Sequence, residues 1–249
     1  MNIALSSASE TPRHSPQSIL ESTQLFSKLD TKTKELFAQK GILHQHPKGK
    51  ILFMHEDPAE WFYIIADGWV KLFRETLDGK EAVVDVLTTG HIFGETAIFE
   101  QDTYTYSTEV VEDATLLALP LSLLQEEIER NGALAMSMFS AMSRFRRQQD
   151  TDLEHMALQN APQRIGCFLL RLIKPGEKGP VTLHLPYDKT LLAMRLGMKP
   201  ETFSRALARL REDINIQVHG ATMKIDSTDR LVQYCCNACS STYPCKDLS

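Results

Sequence analysis

Two groups of side chains have the types and spacing to do chemistry. Four of the five cysteines, Cys235, Cys236, Cys239 and Cys245, crowd into the last fifteen residues, while Cys167 stands alone. Core packing does not demand such a concentration. Thiolates are the usual ligands of iron–sulfur clusters and of structural zinc, and Cys236-x2-Cys239-x5-Cys245 offers three, with Cys235 as a fourth. Structural disulfides are not expected in a reducing compartment, so redox-sensitive thiols are the remaining alternative. The second group lies in Lys199–Leu210. Phe203, Leu207 and Leu210 fall on one face at helical spacing, and Glu201, Ser204, Arg205 and Ala208 share the opposite one. Pro200 stands near the helix start, where its missing N–H costs least. An exposed Arg205 can donate two hydrogen bonds to guanine, Glu201 can accept from cytosine, and Ser204 can serve either sense. Lys189, Arg195, Lys199 and Arg209 flank this face and are expected to meet phosphates. The plain alternative is a solvated, charged helix face.

These groups need elements to hold them. The formal net charge is −5, yet residues 159–230 carry twelve Lys and Arg against seven Asp and Glu, which leaves the remainder about −10. A basic module attached to an acidic one has this asymmetry. Residues 1–18 read as a flexible arm, and Ile19–Lys40 has a helical pattern. From Gly41 short β-rich runs alternate with glycines at intervals near ten residues, the texture of a β-roll or barrel and of a sensor domain over 19–131. After Pro120 the helical period returns, in Leu121–Arg130 and then in a long segment over 132–158. There Met138, Met142, Phe145, Gln149 and Met156 lie near a 3,4 repeat, a seam for a second copy of the helix, or else for the roll of the same chain. Residues 159–230 read as helix, strand, two short helices joined at Gly197, and a hairpin turning at His219-Gly220: a winged helix-turn-helix. A cysteine-rich tail, 231–249, follows. The class is α+β. Apolar runs such as Leu116–Leu119 are far too short to span a bilayer, no secretory pattern leads the chain, and a cytoplasmic protein is expected.

From about residue 20 to 230 this order resembles the CRP/FNR family of bacterial transcription regulators. The resemblance implies an N-terminal cyclic-nucleotide-binding-like β-roll, a long dimerisation helix and a C-terminal winged helix-turn-helix. It also implies a homodimer on double-stranded DNA, with RNA polymerase as a further partner. Glu201-x-x-Ser204-Arg205 resembles the FNR-type motif, which implies TTGAT-like half-sites roughly 34 Å apart on a palindrome. Pro200–Arg205 looks closest to the nitric-oxide-responsive DNR branch. In cyclic-nucleotide-binding members a Gly-Glu pair is followed by an Arg-Ser pair that holds the phosphate. Gly94-Glu95 matches the first, but Thr105-Tyr106 stands near the second, so cyclic AMP is not expected.

The spacing Cys236-x2-Cys239-x5-Cys245 is the one FNR uses for its oxygen-labile [4Fe-4S] cluster, although FNR carries it at the N-terminus with a fourth cysteine in the roll. A branch with C-terminal clusters can use an aspartate as fourth ligand, which makes Asp150 or Asp152 an alternative to Cys235. The resemblance thus implies a regulator sensing oxygen, nitric oxide or redox state. Haem, as in DNR-like members, is the alternative, with His14, His44, His46, His55, His91 and His155 as possible axial ligands. An enzymatic reading rests on His44-x-His46, which faintly resembles a cupin metal motif. The carboxylate and third histidine that such a site needs are missing, and a non-enzyme is expected.

Overall fold

The computed structural model describes residues 15–174, 176–177, 179–185, 189–238 and 240. Helices α1 (Pro16–Ser22), α2 (Gln24–Ser27) and α3 (Thr31–Lys40) replace the single pattern read from Ile19. The breaks follow from capping. Ser15 caps α1, which starts inside the stretch read as a flexible arm, and the Asp30 carboxylate accepts from Thr33 N–H to start α3. Ile19, Leu20, Leu25, Phe26, Leu29 and Phe37 all turn into the core of the roll.

The roll is an antiparallel sheet in the order β1 (Ile42–His46), β6 (Ser107–Pro120), β3 (Trp61–Glu75), β4 (Glu81–Thr88), with β2 (Ile51–Phe53) on β6 and β5 (Ile92–Phe93) on β3. The short runs separated in the sequence at Gly68 and at Glu112–Ala114 are continuous strands. Gly68 holds φ +93°, and a Cβ there would stand 2.4 Å from the Asp113 carbonyl oxygen. The pairing register shifts on both sides of Asp67, so the strand bends without ending. Beyond the bend Val70 and Leu72 face the roll core, whereas Trp69 joins Val86 on the outer face.

Helix α4 (Leu121–Arg130) leads into α5 (Gly132–Leu158), whose first turns bury Leu134 and Met138 in the roll. The second domain has α6 (Ala161–Leu172), β7 (Val181–His184), α7 (Lys189–Arg195), α8 (Pro200–Ile214), the hairpin β8 (Ile216–His219) and β9 (Thr222–Ile225), and α9 (Thr228–Cys235). Its sheet runs β7-β9-β8, all antiparallel. The amphipathic α6, α8 and α9 close over that sheet, with Ile165, Leu169, Phe203, Leu207, Leu210 and Leu231 in the core.

Helix α6 starts in a capping box: Asn160 Oδ1 accepts from Gln163 N, and Gln163 Oε1 accepts from Asn160 N, both at 3.1 Å. Asn160→Ala is expected to cost about 1 kcal/mol, read as a lower urea midpoint.

The two domains meet directly. Leu191 of α7 packs with Trp69 and Val86 on the outer face of the roll, joined by Leu172 of α6. Beside this contact, His184 Nε2 of β7 lies 2.7 Å from Glu112 Oε1 of β6.

Candidate nucleic-acid interface and domain junction

The face of α8 expected to read bases is exposed. Phe203, Ala206, Leu207 and Leu210 are buried, and Glu201, Ser204, Arg205 and Ala208 are exposed along the opposite side of α8. Among the described residues Arg205 makes no ion pair, so its guanidinium fork is available. Lys199 is the N-cap of α8 and Lys189 opens α7; both are exposed. Arg209 is exposed one turn beyond Arg205 and shares its charge with Asp213 at 3.6 Å.

Arg195 departs from the expectation. Its side chain is only 11% exposed, with Nε donating to Asp85 Oδ1 of β4 at 2.7 Å and Nη2 donating to Asp152 Oδ2 of α5 at 2.8 Å. Arg171 of α6 donates to the other oxygen of Asp152. A residue expected on DNA phosphates is thus the centre of an ion-pair network joining α7 to the roll and to the long helix. Burial by itself would destabilise the Arg195 charge, but Asp85 and Asp152 outweigh it and hold the pKa above the ordinary value. Burial likewise raises Asp152, but Arg171 and Arg195 pull its carboxyl below the usual range. Asp152 is therefore committed to two arginines, an arrangement that does not suit it as a metal ligand. Sequence reading missed Asp85, Arg171 and the Glu112–His184 pair, because each has its partner in another domain.

The long helix presents an exposed apolar stripe that includes Met142, Phe145 and Met156, with Gln149 exposed among them. Met138, expected in the same seam, faces the roll core instead. Phe139 and Leu153, one position on from Met138 and Asp152, are exposed and complete the stripe. Of the five residues expected in the seam, four are exposed and Met138 is not.

The cysteines divide. Cys235 is fully buried on α9, sharing a hydrogen bond with Cys167 and packed so closely on α6 that a Cβ on Gly166 would stand 2.1 Å from its sulfur. That hydrogen bond and burial push the Cys235 thiol well above its ordinary pKa, the environment of an inert core thiol. Cys236 is half-buried at the end of the helix. Cys239 and Cys245 lie outside the described residues, among which no three His, Cys, Asp or Glu side chains converge as a metal site. Ser240 docks on α5: its N–H and its hydroxyl donate to the two oxygens of Glu154, each at 2.7 Å. Asp150, one turn before Glu154, is exposed and pairs with Arg146 at 3.3 Å.

In the roll, Gly94 (φ +86°) precedes a 3-10 turn, Glu95–Phe99, and the Tyr104 ring would lie 3.3 Å from a Cβ at Gly94. Burial raises the Glu95 carboxyl above its ordinary pKa. At Thr105-Tyr106 a guanidinium does arrive, from another strand: Arg74 Nε of β3 donates to the Thr105 carbonyl at 3.1 Å, and its plane lies over the Tyr106 ring. Of the candidate haem histidines, His44 and His46 stand side by side on β1, His91 is bonded to the Thr88 carbonyl, His55 lies beside Glu56, and His155 is buried at the domain junction. His14 lies outside the described residues.

Residues 43–131 match the cyclic nucleotide-binding domain family, and residues 163–234 match the Crp-like helix-turn-helix domain. The chain is 30% identical over 180 residues to the cyclic AMP receptor protein of Thermus thermophilus, covering 72% of this chain and 82% of that one. A Ruegeria pomeroyi protein described as cyclic nucleotide-binding superposes with a TM-score of 0.70 at 30% identity, over 90% of this chain and 99% of its own. DNR of Pseudomonas aeruginosa is 29% identical with a TM-score of 0.50, over 86% and 95% of the two chains. Among the described residues no helix is long and apolar enough to cross a membrane.

Proposed function

Since this chain belongs to the CRP/FNR family of DNA-binding transcriptional regulators, we propose that it binds an FNR-like palindrome as a homodimer and acts with RNA polymerase under control of a redox or gas signal received at its cysteine tail. The observation that carries the DNA reading is the exposed Glu201, Ser204 and Arg205 face on a helix whose other side is locked in the core. Arg205 reads the guanine of a TTGAT-like half-site, Glu201 and Ser204 read its neighbours, and Lys189, Lys199 and Arg209 meet phosphates. Dimerisation buries the stripe of Phe139, Met142, Phe145, Leu153 and Met156, with Gln149 as a polar break that weakens the seam.

The signal reading rests on Ser240. Ser240 follows Cys239 directly and is held on Glu154, between Leu153 and Met156 of the exposed stripe. Cys236, Cys239 and Cys245 would hold a [4Fe-4S] cluster, a centre labile to oxygen and nitric oxide. Asp150 fits as the fourth ligand better than Cys235 or Asp152, because it is exposed and one turn from Glu154, which holds Ser240. Through Ser240 and Glu154, a change of order in the tail reaches the helix that makes the dimer.

Protein purified without oxygen is expected to contain iron and acid-labile sulfide in near-equal amounts, with a broad absorption near roughly 400 nm that bleaches in air. Cys239→Ser is expected to abolish the iron and sulfide and to leave DNA binding indifferent to air. Colourless protein without iron or sulfide overturns the cluster; a sharp Soret band without sulfide moves the sensor to haem.

A further inference from the structure

Two thiols from different helices meet in the core of the second domain. Cys167 of α6 is 6% exposed, and Cys235 of α9 has no exposed surface. The helices come this close because residue 166 is glycine: a Cβ there would stand 2.1 Å from the Cys235 sulfur and 3.0 Å from Leu231 Cδ1. The two cysteines share a hydrogen bond that raises the Cys235 pKa, which makes the Cys235 S–H the donor and the Cys167 sulfur the acceptor. Gln159 Nε2 donates to the same sulfur at 3.3 Å. Negative charge developing on Cys167 is therefore met by two donors. The two residues also differ in their surroundings, since Cys167 borders a cavity of about 30 Å³ between α5, α6 and the end of α7, together with His155 and Arg171. Cys235 does not border it.

A space of that size holds about two waters, which admits hydrogen peroxide and excludes bulky oxidants. We propose that Cys167 and Cys235 are a peroxide-reactive dithiol, in which a small hydroperoxide oxidises Cys167 and Cys235 then closes a disulfide between α6 and α9. In the first step the Cys167 sulfur attacks one peroxide oxygen and the O–O bond breaks. The thiol proton leaves with the released hydroxide as water, and Cys167 becomes a sulfenic acid. In the second step the Cys235 sulfur attacks the sulfenic sulfur, the S–S bond forms as the S–OH bond breaks, and the Cys235 proton departs with that hydroxide as a second water. Sulfur is oxidised and peroxide oxygen is reduced. Burial shields Cys235 from the oxidant, so it enters only at the second step. The bond pins the first helix of the DNA-binding domain to its last one, enclosing the helix-turn-helix and the hairpin in one covalent loop. Cys236, Cys239 and Cys245 take no part, so the pair does not depend on a cluster in the tail.

The test uses the full chain with Cys236→Ser, Cys239→Ser and Cys245→Ser together, checked as folded by circular dichroism, which leaves Cys167 and Cys235 as its two thiols. Excess hydrogen peroxide is expected to remove both thiols, counted in denaturant, and to give a non-reduced digest in which the Cys167 and Cys235 peptides are linked. A long covalent loop restricts the unfolded chain, so Tm is expected to rise by about 5–10 °C and to return on reduction. Adding Cys235→Ser is expected to stop the reaction at a Cys167 sulfenic acid that dimedone captures, and adding Cys167→Ser to leave Cys235 unreacted. The wild type is expected to yield the same linked peptides, a readout that needs no variant. Two thiols still present after peroxide, bonds only between chains, dimedone capture at Cys235 in Cys167→Ser, or no Cys167–Cys235 link in either protein would each overturn the proposal.

Discussion

Arg195→Ala is expected to destabilise the protein by about 3–5 kcal/mol, the largest effect of any single exchange considered for this chain. The side chains of Arg195, Asp85 and Asp152 are 11%, 10% and 20% exposed, so solvent screens little of their interaction. Removing the guanidinium leaves Asp85 without its cation and Asp152 with Arg171 alone, two carboxylates facing each other in a nearly dry junction. The loss reads as a lower urea midpoint and a lower Tm.

A phosphate contact would behave differently. In that case Arg195→Ala would leave stability unchanged, weaken DNA binding on all sequences and reduce the salt slope by about one. The two outcomes are exclusive enough for one pair of measurements to decide. The network also has a pH sense. Asp152 is held below its ordinary pKa in the folded chain, so the stability it contributes is present above the ordinary carboxylate value. That contribution is lost as pH falls through the lowered one. In Arg195→Ala this acid dependence is expected to flatten.

Arg205→Ala is expected to weaken binding to a TTGAT-like palindrome by about 1–3 kcal/mol, roughly 5- to 150-fold in Kd, and to relax selection at the guanine. The loss is one of specificity more than of charge, since the fork of Arg205 matches the O6 and N7 of guanine and Ala offers nothing to either. Lys199→Ala, at the N-cap of the same helix, is expected to weaken all sequences alike and to lower the salt slope. Competition between half-sites that differ only at the guanine separates the two. Unchanged affinity and unchanged preference in Arg205→Ala would remove α8 from the base-reading role. Folding is not at issue in this variant, because Arg205 is exposed and supports no core contact.

The two exchanges mark how far a sequence can be read. Both arginines lie in the basic segment, and both were expected on DNA. For Arg205 the expectation rests on the helix that carries it: Phe203, Leu207 and Leu210 must be buried, and the geometry of one helix then puts Arg205 outside. For Arg195 no local pattern could help. Its partner Asp85 lies 110 residues away on the roll, and an arginine next to a helix-turn-helix reads as a phosphate contact until that strand is in place. Along the long helix the 3.6-residue period was legible, but the face it buries was not. The first turns pack Met138 on the roll, and the last turns pack Thr151 and His155 at the domain junction. Cys235 tells the same lesson for the tail: adjacency to Cys236 in the chain suggested a shared ligand set, whereas α9 turns its sulfur into the core beside Cys167.

The sequence by itself determined the order and kind of the elements, the two domains with their opposite charge, the outward face of α8 and the family to which they belong. These depend on hydrophobic period, caps, turn glycines and charge type, all of which act over a few residues. The tertiary structure alone decided which arginine of the basic segment stands exposed on α8 and which is clasped between the roll and the long helix, which apolar side of the long helix is left exposed, and which cysteine is spent on the core. Those outcomes depend on which remote strand or helix comes within a few ångströms, and burial then sets whether a charge meets water, DNA or a counter-ion.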